Sequence, residues 1–326
     1  MPASITGWGT ALPPRTLTNA DLATRLGVDE EWIVERTGIH ARHVANGQTT
    51  STLAAAAGAE ALARAEVNAD EVDAVIVATV TPDYRFPAAA CLVQSALGAS
   101  RAAAFDLNAG CAGFLYGLAQ ATAMIESGAC RRVLMCGADV LSAITDYTDP
   151  RSCILFGDGA GAVLVERVSE GGGLGPFHLR SDGASPELLY VPNDTGVISM
   201  HGREVYRRAV DAMARSVGTV LRESGATIDD VDLLVAHQAN ARILDAVAQR
   251  VGLPPEKVVM NIARYGNTSA ASIPLALAEA IDTAMLRDGD LVVLAAFGAG
   301  FAWGAGIVRW GVGVGENLTL VGEASA

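Results

Sequence analysis

Lysine is nearly absent from this chain. Lys257 is the only one in 326 residues, and arginine carries the rest of the positive charge. That bias reads as codon usage in a GC-rich genome, not as function. Charge of either sign is scarce: 18% of residues are charged and 51% are hydrophobic, with mean hydropathy +0.31. A chain of that kind keeps most of its length in interior or interface. The balance is acidic, net −13 at pH 7 with a pI near 4.8. This argues against nucleic acid and anionic membrane as general partners. Cysteine comes as an odd five, Cys91, Cys111, Cys130, Cys136 and Cys153, without a CxxC pair or a Cys/His cluster. Neither a disulfide scaffold nor a metal site is expected, and a reducing cytoplasm fits best. The opening MPASITGWGTALPPRTL lacks a basic start followed by an apolar core, so no signal peptide is expected. The uncharged run Leu291–Val308 is long enough to suggest a membrane span. Gly298, Gly300, Gly304 and Gly306 argue instead for two buried strands, Leu291–Ala296 and Ala302–Val308, around a glycine-rich turn.

What is present alternates between strand and helix. Ser4–Gly9 reads as a strand, and Thr18-Asn19-Ala20-Asp21 as a capped helix start. A short helix runs from Asp29 towards Gly38, and an alanine-rich one spans Thr50–Ala65. Val72–Thr79 is a buried strand, Ala88–Leu97 a helix, Ala102–Phe105 and Arg132–Cys136 further strands. Ile154–Val165 reads as two strands with a tight turn, and Val258–Ile262 as one more strand.

The second half repeats the first. DEVDAVIV at Asp70–Val77 matches DDVDLLVA at Asp229–Ala236, an offset of 159 residues from Val72 to Val231. Arg132-Val133-Leu134 and Leu291-Val292-Val293 keep the same offset. Gly171-Gly172-Gly173 punctuates the middle, which divides the chain into residues 1–170 and 171–326. Two similar α/β halves, each a mostly parallel sheet covered by helices, are expected to pack as one layered body. Ligands of such sheets bind at strand carboxyl ends. Cys111 lies at such an end in the first half, His237 at the corresponding end in the second, and Asn267 after the strand that follows.

Cys111 sits in FDLNAGCAGFLY between a strand and a helix, flanked by Gly110 and Gly113. A cysteine at a helix start faces the positive end of the macrodipole, which favours thiolate over thiol. Taken alone, Cys111 also reads as a small buried hydrophobe, His237 as a structural histidine and Asn267 as a helix cap.

Taken together, DLNAGCAGF, AHQAN and YGNTSAASIP resemble the β-ketoacyl-acyl-carrier-protein synthase III family. The resemblance extends from about Ile5 to Trp310. It includes Asp29-Glu30-Glu31-Trp32-Ile33, Arg36-Thr37-Gly38-Ile39, Phe156–Ala162, His201–Tyr206 and Ala296–Phe301. It implies a thiolase-like fold of duplicated α/β halves in an αβαβα sandwich. It implies that Cys111 takes an acyl group from acyl-CoA, and that His237 and Asn267 stabilise the enolate formed when malonyl-acyl carrier protein loses carbon dioxide. The oxyanion hole would combine the Cys111 N–H with one from Gly298, Ala299 or Gly300. Trp32, Arg36 and Arg151 would hold coenzyme A, although by themselves they read as a helix anchor and solvated charges. Phe86 would reach across a homodimer into the neighbour's acyl pocket, of which Leu141 is a wall. Arg242 would belong to the carrier-protein docking patch, or be an ordinary solvated helix charge. No permanently bound cofactor is implied.

The chain departs from the family pattern at Gly110, where many members have alanine, and at Tyr265, where histidine is frequent. It also continues past Trp310 into a glycine-rich tail. An acyltransferase of specialised metabolism, moving an acyl group to a hydroxyl or amine without condensation, is the first alternative. The intact His237/Asn267 pair favours condensation. A papain-like peptidase lacks both its local signature and its fold pattern here, and a non-catalytic scaffold would not need the triad.

Overall fold

The computed structural model describes residues 2–168 and 173–311. The expected boundary at 170/171, Gly171, Gly172 and most of the glycine-rich tail lie outside the described residues. The first half opens with β1 (Ala3–Ala11). A small excursion follows: β2 (Thr16–Thr18), α1 (Asn19–Leu26), α2 (Glu30–Thr37) and β3 (Ala41–His43). The expected helix start is there: Thr18 accepts the Asp21 N–H, and the Asp21 carboxylate accepts the Thr18 N–H. Then come α3 (Thr50–Arg64), β4 (Ala74–Ala78), α4 (Ala89–Leu97), β5 (Ala103–Leu107), α5 (Gly113–Glu126), β6 (Arg132–Asp139) and β7 (Gly159–Arg167). The second half runs β8 (Gly173–Ser181), a ribbon of β9 (Leu189–Tyr190) and β10 (Ser199–Met200), α6 (Gly202–Ser224), β11 (Leu233–Ala236) and α7 (Ala241–Val251). It closes with α8 (Ile262–Tyr265), α9 (Ser272–Asp282), β12 (Leu291–Gly298) and β13 (Ala302–Arg309).

Each half makes its own sheet, in the orders β1-β7-β6-β4-β5 and β8-β13-β12-β11. The 159-residue offset carries β6 onto β12 from end to end and the start of β4 onto the start of β11. Strand alternation sends side chains to both faces, and both faces are apolar. In β4, Ala74, Ile76 and Ala78 face the middle of the molecule, while Val75 and Val77 face outward. In β11, Leu233 and Val235 face the middle, and Leu234 and Ala236 face outward. The middle layer is α5 and α9, whose Phe114, Leu115, Leu118, Ile273 and Leu277 pack against both sheets. Helices α3 and α4 cover the outer face of the first sheet, and α6 and α7 that of the second. The result is the αβαβα sandwich.

Three expectations are corrected. The sheets are mixed, not mostly parallel: β4 pairs parallel with β5 and β6, but β7 runs antiparallel to β6 and β1. Strands β12 and β13 are likewise antiparallel, because the few residues between them permit only a hairpin. Val258–Ile262 is not a strand of its own. It keeps one parallel bridge, Leu234 to Val258, before α8 begins. Ile154–Val165 holds one strand, not two. The carbonyl of Ile154 accepts Arg42 Nη2 at 2.7 Å, and the Gly157 N–H donates to the Asn267 carbonyl at 2.9 Å. Those bonds go across to other segments, so only the residues from Gly159 onward join the sheet.

Candidate active site

The turn that carries Cys111 is built by backbone hydrogen bonds. After β5, Gly110 adopts φ +56°, a left-handed conformation natural for glycine. The N–H groups of Ala112 and Gly113 then donate to the carbonyls of Ala109 and Gly110. Helix α5 starts at Gly113 with Ala112 as its N-cap, so Cys111 stands just before the helix and not in its first turn. Gly110 also answers the departure noted above. A Cβ there would come within 2.7 Å of the Ala299 nitrogen, so the side-chain-free residue lets the β12–β13 turn close over Cys111. Gly298 does the same from the opposite side: a Cβ on it would fall on the Cys111 nitrogen and within 2.9 Å of that of Ala112.

The thiolate expected from the helix end is opposed by burial. Burial pushes the Cys111 thiol up to about 11; Ser269 pulls it down and the Asp139 charge pushes it further up. Desolvation of the anion outweighs the helix end.

His237 follows β11 directly, and its N–H extends the ladder to the Ala295 carbonyl at 2.8 Å. It is 2% exposed, and burial alone lowers its ring to about 4, so it is neutral at pH 7. Its Nδ1 is buried without a hydrogen-bond partner. Asn267 is oriented by its own neighbour: the Ser269 N–H donates to Asn267 Oδ1 at 3.0 Å. With the oxygen used, the amide NH₂ is the group left to act, and it is a donor at any pH. The backbone of Asn267 is locked in turn by bonds to Leu155 and Gly157.

Cys111, His237 and Asn267 line one cavity of about 940 Å³, together with Gly110, Ser269, Ala299 and Gly300. Leu141 is buried and lines it too. The charged side chains of its lining are all arginines, Arg36, Arg151, Arg203 and Arg242, and all four are exposed. Among the described residues no carboxylate lines the cavity, although the chain as a whole is acidic. Trp32 lies at the same mouth, but its ring is covered by Arg36, 4.6 Å from the centroid, while Arg151 is turned onto Asp149 by bonds of 2.9 and 3.0 Å. Arg242 sits at the start of α7, which Asn240 caps while donating to the Arg36 carbonyl at 2.8 Å. Phe86 is not a wall of its own chain's cavity. It stands 86% exposed, with Tyr84 nearby in sequence at 59%.

Several residues that position the site carry no local motif of their own. Gln238 is buried and fully used: its N–H donates to Ser272 Oγ, its amide to Ala236 and Val259, and its Oε1 accepts from Asn261 and Ile262. It ties the end of β11 to the segment leading to Asn267. Arg42 is fully buried, lowered to about 10 by burial, and clamps Leu17, Asn19 and Ile154. Asp139, at the end of β6, accepts the Ala270 N–H across the seam between the halves. Among the described residues no group of three metal-ligating side chains is gathered, and no helix is long and apolar enough to cross a membrane. All five cysteines are free.

A family model described as 3-oxoacyl-[acyl-carrier-protein (ACP)] synthase III matches residues 105–183, and its C-terminal counterpart matches residues 221–310. A β-ketoacyl-[acyl-carrier-protein] synthase III of Roseiflexus castenholzii is 46% identical over 328 residues, covering 95% of this chain and 99% of that protein. The crystal structure of 3-oxoacyl-[acyl-carrier-protein] synthase III from Aquifex aeolicus superposes with a TM-score of 0.93 at 44% identity, covering 94% of this chain and 100% of that one. The priming β-ketosynthase of the R1128 polyketide pathway gives 0.89 at 33% identity, covering 94% and 96%.

Proposed function

The chain belongs to the 3-oxoacyl-[acyl-carrier-protein] synthase III family, and we propose that Cys111, His237 and Asn267 carry its chemistry. It is a β-ketoacyl-acyl-carrier-protein synthase, a condensing acyltransferase. The single observation behind the residue roles is the cavity: three chemically competent groups, Cys111, His237 and Asn267, share one lining whose charged side chains, among the described residues, are arginines.

The substrates in this reading are an acyl-CoA and malonyl-acyl carrier protein. Phosphates of coenzyme A meet Arg36 and Arg151 with Trp32 beside them, and the acidic carrier protein meets Arg242. The Cys111 sulfur attacks the thioester carbon, and its proton is passed on to the coenzyme A sulfur. The oxygen that gains charge is held by the Cys111 N–H and one N–H of Gly298–Gly300. Coenzyme A leaves as the thiol, taking that proton. Malonyl-carrier protein then loses carbon dioxide. The electron pair moves to its thioester oxygen, where the His237 ring N–H and the Asn267 amide donate. The resulting carbon attacks the acyl-Cys111 carbonyl and expels the sulfur. The donor pair favours condensation over simple transfer, which needs no enolate clamp. The division into a nucleophile-bearing half, 1–170, and a donor-bearing half, 171–326, is part of the same proposal, as is a cytoplasmic setting with free thiols.

A homodimer completes it. Strand β5 is the edge of its sheet, and the exposed Tyr84 and Phe86 are side chains that water does not stabilise. An obligate interface buries roughly 2,000 Å² or more, and sedimentation at micromolar concentration should show the dimer. For the chemistry, the test is intact mass after incubation with a panel of acyl-CoAs. Wild type should gain the acyl mass and Cys111→Ala should not. An undiminished adduct on Cys111→Ala overturns the assignment.

A further inference from the structure

Beside the nucleophile lies a pair of side chains without a role in the reaction described above. Ser269 takes φ +50°, a left-handed conformation that is strained for a non-glycine residue. The strained turn lets two successive N–H groups point opposite ways: Ser269 to Asn267 Oδ1 at 3.0 Å, Ala270 to Asp139 Oδ2 at 3.2 Å. Asp139 is fully buried. Its Oδ1 accepts from Thr79 Oγ1, the Val80 N–H and Thr81 Oγ1 at 2.8 to 3.0 Å, whereas Oδ2 accepts only the Ala270 N–H and has room for another donor. Ser269 lines the cavity with Cys111, and its hydroxyl is buried without a completed hydrogen bond. Burial raises both the Cys111 thiol and the Asp139 carboxyl, and the neighbouring Ser269 hydroxyl lowers each. It has one proton and two acceptors within reach.

We propose that Ser269 is a further catalytic residue, the local hydrogen-bond donor to the Cys111 sulfur as it becomes anionic, and that Asp139 is the positioning residue that holds it there. With Cys111 as thiol, the Ser269 O–H is directed to Asp139 Oδ2 and accepts the S–H. As the sulfur gains charge, the hydroxyl turns to it. No proton changes owner in that rotation. The titratable and charged groups around Cys111 are Asp139 from β6 and His237 after β11, with Arg36, Arg151, Arg203 and Arg242 lining the same cavity. The Ser269–Ala271 turn and the Gly298–Gly300 turn carry none. Asp139 and Ser269 therefore act on the sulfur in opposite directions.

This rests on Cys111 being the nucleophile, and the test separates the two claims. The full chain is alkylated with iodoacetamide between pH 7 and 9.5, and the modified cysteine is located by peptide mass. Ser269→Gly removes the hydroxyl but suits the left-handed turn, so its melting temperature should equal or exceed that of wild type. Its Cys111 alkylation should nevertheless slow about tenfold at each pH, a profile displaced upward by about one unit. A Ser269→Gly chain that alkylates like wild type overturns the proposal. Asp139→Asn should shift the profile by a different amount alone than in the Ser269→Gly background, because it acts through that hydroxyl; equal shifts overturn the positioning role. Wild-type alkylation at a cysteine other than Cys111 would instead sink the nucleophile assignment, and the proposal with it.

Discussion

The two halves share a backbone and divide the chemistry. Strand β6 ends in Asp139, and its repeat-related strand β12 ends in Gly298. One position is a buried carboxylate that anchors a turn from across the seam. The other is a residue without a side chain, pressed against the nucleophile's nitrogen. Strand β4 ends in Ala78, whose counterpart at the same offset is His237. Duplication thus sets where strand ends meet, and each half fills those ends differently: in the proposed reaction the first supplies the nucleophile and its support, and the second supplies donors and the closing turn. Both are needed, because Asn267 is oriented through a turn that the first half's Asp139 holds.

The sharpest break of that division is Gly298→Ala. The added methyl would strike the backbone of Cys111 and Ala112, which cannot yield as a flexible side chain would. Acyl-enzyme formation should fall by about a hundredfold, in line with loss of an oxyanion donor, while circular dichroism stays native. Rates within a factor of two of wild type would mean the turn is not part of the hole.

A second break concerns charge in the second half. His237 is lowered to about 4 from 6.5 by burial. Between those values the unfolded chain binds the proton and the folded chain does not, so stability is complete above pH 6.5 and is lost as pH falls towards 4. The full difference is roughly 3 kcal/mol. Urea unfolding at pH 7 and pH 5 should show a steeper loss for wild type than for His237→Ala. Equal losses would mean the imidazole is solvated.

The smallest effect belongs to the cavity mouth. Arg203, exposed and in the lining, did not enter the expected coenzyme A set of Trp32, Arg36 and Arg151. Arg203→Ala should raise KM for acyl-CoA about threefold to tenfold with kcat unchanged, as for a solvent-exposed charge-assisted contact. A fall in kcat instead would place Arg203 nearer the reacting atoms.

The repeat was readable because β4, β6, β11 and β12 are continuous apolar runs whose spacing survives in both halves, whereas Cys111, His237 and Asn267 were singled out together by the family motifs that hold them. What escaped notice depends on bonds between distant segments. Ser269 has an ordinary helix-start sequence around it, and only its φ and the Asp139 contact reveal the strain. Arg42 and Gln238 sit in unremarkable contexts and matter through the carbonyls and N–H groups they reach. Ile154–Phe156 is apolar enough for a strand, yet its hydrogen bonds are claimed by Arg42 and the Asn267 loop. The Cys111 ionisation was misjudged for a related reason: a helix end is visible in sequence, whereas desolvation is not.

In the proposed reaction attack and decarboxylation use different groups of one cavity, and Asn267→Ala separates the two steps. The variant keeps Cys111, the turn over it and neutral His237. Incubated with an acyl-CoA, it should gain the acyl mass at close to the wild-type rate. Given malonyl-acyl carrier protein, the same preparation should release radiolabelled carbon dioxide ~10²–10³ more slowly than wild type. Wild-type carbon dioxide release from Asn267→Ala, or loss of both activities together in a folded chain, would contradict the account.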